Sequence, residues 1–114
     1  MTNKELNEWM ATEVMGWHKD FCSNAGIEWW YDDNLPRGNQ VIMECVNWHP
    51  DTDPNQAMMC ADKFDIYWID KSPQKPFYRV QVGGEGGETI ISHADNLDKL
   101  PLAICEAIRE VING

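Results

Sequence analysis

The closing stretch "DKLPLAICEAIREVING", Asp98–Gly114, decides the fold. On a helical wheel Leu100, Ala103, Ile104, Ala107, Ile108, Val111 and Ile112 fill a very wide apolar arc. Glu106, Arg109 and Glu110 define the narrow polar side. A helix so apolar must be deeply docked, on a sheet or on a second subunit. Asp98 can cap it, and Pro101 falls in the first turn, where its missing N–H is tolerated.

Short extended runs upstream supply the sheet. "FDIYWID" reads as a strand, "KSPQKP" as a turn, and "FYRVQV" as a second strand with Phe77, Arg79 and Gln81 on one side. "TIIS", Thr89–Ser92, makes a short final strand. Before these, Ile27–Tyr31 and Val41–Trp48 read as extended segments around the turn chemistry of "DDNLPRGNQ". Two further helices are signalled by their starts. Thr2 and Glu5 form a capping box ahead of Leu6, Met10 and Val14, and Gly16 can close that helix. Asp53 is a good N-cap for a second helix, with Pro54 at its first position and Gln56 at the capping-box position. The expected fold is α+β: an antiparallel sheet flanked by helices as an α-β-α sandwich, in one compact domain over residues 1–114.

Length and composition agree with this. A chain of 114 residues, 43% hydrophobic with six Trp, can bury roughly two-thirds of its unfolded surface. No apolar run is long enough to span a bilayer, and "MTNKELNEWM" lacks the apolar region of a secretion signal, so a soluble, cytosolic protein is expected. Nineteen acidic residues against nine basic ones give a net charge of −10, a field that disfavours binding to a nucleic-acid polymer. The acids run from Glu5 to Glu110; solubility is the bland account, and a DNA-like surface the sharper one. The aromatic content argues against a charged rod.

Catalytic motifs are missing. There is no G-x-S-x-G, no P-loop and no H-E-x-x-H. Cys22, Cys45, Cys60 and Cys105 form no C-x-x-C pair and read as reduced thiols. His18 with Cys22, and Cys45 with His49, have the four-residue spacing of zinc half-sites. On an extended segment, however, Cys45 and His49 would stand about 13 Å apart, so no metal is expected. His93 and Asp95 form a local pair beside the glycines of "QVGGEGGETIISH", without a nucleophile or oxyanion site. Those glycines lack phosphate-binding spacing and precede a strand, so they read as a hairpin loop. Trp29 and Trp30 must split between the two faces of their strand, as must Phe77 and Tyr78. An aromatic face could be core, or a platform for stacking a base with Arg79 or Arg37 near the phosphate.

"LPLAICEAIREV", with "ELNEWMATEVMGW" near the start and "HPDTDPNQA" before the middle helix, resembles the phage α-β-α sandwich domain family of small phage proteins. The resemblance covers essentially the whole chain in the right order. The segment from Phe21 to Val41 departs from the short members. The chain also resembles phage Thoeris anti-defence proteins of the sponge type. This resemblance implies a nonenzymatic protein of the host cytoplasm that sequesters a small nucleotide, cyclic ADP-ribose-like or a cyclic oligonucleotide, as a homo-oligomer and without a cofactor. By approximate position it implies ligand contacts at Phe77, Tyr78, Arg79, Asn96, Asp98 and Arg109. An aromatic would stack the base, arginines would pair phosphates, and Asn96 or Asp98 would hold hydroxyls. Leu102, on the otherwise polar side of the last helix, hints at a subunit contact. The alternative is an acidic, nonenzymatic inhibitor that binds a host protein.

Overall fold

The computed structural model describes residues 1–22, 26–64, 66–71, 78–83, 89–94 and 96–113. The fold is α+β, and its strands form two three-stranded antiparallel sheets. The chain divides into two compact units, Met1–His49 and Pro50–Gly114.

In the first unit, α1 (Asn3–Trp9) starts at the expected capping box: the Glu5 N–H donates to Thr2 Oγ1, and the Thr2 N–H to Glu5 Oε1, both at 3.2 Å. The bond from the Thr2 backbone holds the Glu5 carboxyl below the usual range. The helix then widens into a π turn over Met10–Val14, and Gly16 ends it with φ +72°. That left-handed conformation favours a residue without Cβ. Leu6, Met10 and Ala11 are buried.

Strand β1 (His18–Cys22) pairs with β2 (Ile27–Tyr31), which pairs with β3 (Val41–Glu44) across a bulge between Trp30 and Tyr31. The sequence reading assigns no strand to β1. All five of its residues are exposed, so it carries no alternation of apolar and polar positions to betray it. Val41–Trp48 is also shorter as a strand than expected: Cys45–Asn47 forms a 3₁₀ turn. The extended geometry used to separate Cys45 from His49 therefore does not hold. Trp48 closes the unit by donating its indole N–H to the Asn7 carbonyl at 2.7 Å and by meeting Trp17 edge-on at 4.8 Å.

The second unit begins with α2 (Pro54–Ala61), whose N-cap Asp53 accepts from the N–H groups of Asn55 and Gln56. Strands β4 (Ile66–Lys71), β5 (Tyr78–Gly83) and β6 (Thr89–Ala94) form its sheet in that order. Gly83 pairs with Thr89, so the segment 84–88 joins neighbouring antiparallel strands, as a hairpin connection must; its own conformation lies outside the described residues. A 3₁₀ turn, Leu97–Lys99, leads into α3 (Leu100–Asn113), which packs on β5, β6 and α2. Ala103, Ile104, Cys105, Ala107 and Ile108 are buried, so most of the apolar arc is consumed inside this unit; Leu102 is half-buried and Ile112 exposed. The cap at this end is Asn96, whose side chain accepts from the Lys99 N–H at 3.1 Å, and not Asp98. The 3₁₀ turn ahead of the helix moves the capping position back two residues.

Candidate functional site

Two turn-and-helix starts build a groove in the second unit. The first is "DTDPN": Asp51 is buried, Asp53 caps α2, and Pro54 stiffens its first turn. The second is "NLDKLP", where Asn96 caps the 3₁₀ turn and Pro101 sits buried in the first turn of α3. Because α2 packs on α3, both helix starts wall an open groove of about 550 Å³. Among the described residues its lining is Thr52, Pro54, Leu97, Asp98, Leu100 and Pro101. Four of the six are apolar, and Leu97 is 62% exposed at the surface. The polar groups of these six are one hydroxyl, from Thr52, and one carboxylate, from Asp98.

That chemistry suits an apolar or planar group bearing hydroxyls. A hydroxyl can donate to the Asp98 carboxylate while the rest of the group lies against proline and leucine. It suits an anion poorly. Asp53 already occupies the N–H groups of Asn55 and Gln56 at the α2 start, and Asn96 occupies that of Lys99. Among the described residues no cation is in the lining; Lys99, exposed, follows Asp98 directly in the chain.

Of the six residues implied by the resemblance, Asp98 lines the groove and Asn96 caps the turn that carries it. Tyr78 and Arg79 begin β5, where their backbones pair with Ala94 and His93 of β6. They thus stand at the sheet end from which Asn96 departs. Arg109 does not join them: it lies nine residues beyond Leu100, about 13 Å along the helix. Phe77 lies outside the described residues. Thr52, Pro54, Leu97, Leu100 and Pro101 escaped the sequence reading as site residues. Their types announce helix starts, and only the packing of α2 on α3 brings the two starts together.

Burial pushes the Cys60 thiol up to about 12, and burial, with nearby negative charge, raises that of Cys105 further. Neither is a thiolate at neutral pH, the form a nucleophile requires. Cys45 is raised by burial, despite Lys19 nearby. His93, read as part of a loop pair, lies on β6 opposite Arg79; Asp95 is outside the described residues. Among the described residues no three His, Cys, Asp or Glu side chains converge as a metal ion would need, and no helix is long and apolar enough to cross a membrane.

In the first unit Trp29 and Trp30 do split between faces: Trp30 is 2% exposed and Trp29 half-buried. Lys19, opposite Trp30, stands 5.3 Å from its ring centroid and 3.0 Å from Glu8 of α1. Burial works against its charge, but the hydrogen bond to Glu8 and the charges of Glu8 and Glu28 outweigh it and hold the ammonium above its ordinary range.

Comparison with family models, with curated proteins and with solved structures returns no match to this chain.

Proposed function

We propose that this chain is a nonenzymatic binding protein that sequesters a small nucleotide signal, with the nucleoside part in the groove between the starts of α2 and α3. The observation that carries this reading is the position of Asp98. Asp98, one of the two residues, with Asn96, to which the resemblance gives the ligand's hydroxyls, is the carboxylate among the described lining residues, beside the Thr52 hydroxyl and four apolar side chains. A ribose fits that pairing: its hydroxyls donate to Asp98, and the base lies against Leu97 and Pro101. Lys99 is the cation assigned to phosphate on this reading, together with Arg79 at the adjoining sheet end. The resemblance to phage α-β-α sandwich proteins, and through them to sponges of the Thoeris type, is the second support. The assembly expected of a sponge is not needed for the groove, because the lining comes from one unit of one chain.

Sequestration without cleavage makes a chemical prediction. Protein mixed with a cyclic ADP-ribose isomer and freed of excess ligand should release the intact nucleotide when heated. Recovery of a linear or hydrolysed product would mark an enzyme instead, and recovery of none would remove the reading.

A further inference from the structure

The strand register of the first unit brings an aromatic ring between two carboxylates. Trp29 of β2 pairs with Asp20 of β1 on one side and with Glu44 of β3 on the other. Directly paired residues share a face of the sheet, so the three side chains form one row. The strands stand about 4.8 Å apart, so the backbones of Asp20 and Glu44 flank that of Trp29 at about that spacing and lie about 10 Å from each other. In the next row along β2, His18 stacks on Tyr31 at 5.5 Å and its Nδ1 meets Asp33 at 3.0 Å. This is the face opposite Trp30. The β1 members of the face are exposed and the β2 members only half-buried.

Among the described residues neither Asp20 nor Glu44 forms an ion pair, and no cation stands over Trp29. Asp20 Oδ1 accepts from the Phe21 N–H at 2.8 Å, which leaves Oδ2. Lys19, the cation nearest in sequence, is held toward Glu8, Glu28 and the Trp30 ring.

We infer that this face docks an arginine of a basic segment of a partner protein. A guanidinium laid on the indole gains cation–π attraction and can donate to a carboxylate on either side, a geometry that suits the planar donor fork of arginine better than a lysine ammonium. The charge of the whole chain, −10, attracts such a segment from a distance and repels acidic competitors. The site is on the first unit, and it does not rest on the nucleotide reading of the second.

A fluorescein-labelled octa-arginine peptide titrated into the full chain tests this. Wild type should bind it, and bind less tightly as salt screens the charges. The double variant Asp20→Asn/Glu44→Gln should bind about tenfold more weakly. A control, Glu106→Gln/Glu110→Gln, removes the same charge from exposed positions of α3 and should weaken binding by less than about twofold. The Trp29 indole N–H resonance, assigned as the one lost in Trp29→Phe, should move during the titration. Equal weakening in the two double variants, a stationary Trp29 resonance, or no binding by wild type would each overturn the inference.

Discussion

Asp53 shows how much one side chain can do at this size. It satisfies two N–H groups of α2 at the helix start that walls the groove. Asp53→Ala should destabilise the chain by about 1 kcal/mol in urea unfolding, the usual cost of losing a cap. The cysteines make a second residue-scale prediction. Cys22 is exposed while Cys60 and Cys105 are buried, so a thiol reagent on the folded protein should label Cys22 well before either. The Cys60 thiol is raised from 9.0 to about 12, so the folded state resists losing a proton that the unfolded chain gives up readily. Its contribution to stability is complete below 9.0 and falls as pH rises from there toward about 12. Urea midpoints measured across that window should fall less steeply for Cys60→Ala than for wild type. Parallel falls would show that another group controls the alkaline limit.

Helix α3 is the element on which the second unit depends. Ile108 is fully buried, and Ile108→Ala should cost about 2–5 kcal/mol, a large part of the stability of a small domain. Glu110→Ala, on the exposed side, should stay within about 0.5 kcal/mol of wild type. The apolar arc of this helix was plain in the sequence because its period is long and regular, and the capping box of α1 and the Asp53 cap were plain because they are local. Strand β1 was not, since an exposed edge strand with charged residues carries no periodic signal. The cap expected at Asp98 is found at Asn96, where it serves the 3₁₀ turn ahead of α3, a turn that differs from helix by a single hydrogen-bond step. The groove itself was legible only through Asp98; its apolar walls come together when two helix starts, forty-odd residues apart in the chain, are packed side by side.

For the molecule as a whole, the dominant field is its own negative charge, −10 over 114 residues. Self-repulsion should make the melting temperature rise between about 0.01 M and 0.15 M salt, as the screening length shortens from about 30 Å to about 8 Å. A flat or falling response would mean that the acids are already neutralised by partners within the fold. A nucleotide would bring more negative charge to this surface, so the proposed binding would have to come from the groove's specific contacts and not from a general attraction. The direct measurement is the melting temperature of wild type and of Asp98→Ala, each with and without a cyclic ADP-ribose isomer. At about a hundredfold excess of ligand over Kd, wild type should gain about 2.7 kcal/mol of apparent stability and melt several degrees higher, while Asp98→Ala, still folded, should gain much less. Equal shifts in the two proteins would contradict the groove as the site, and no shift in wild type across the cyclic ADP-ribose isomers and cyclic oligonucleotides would contradict nucleotide sequestration itself.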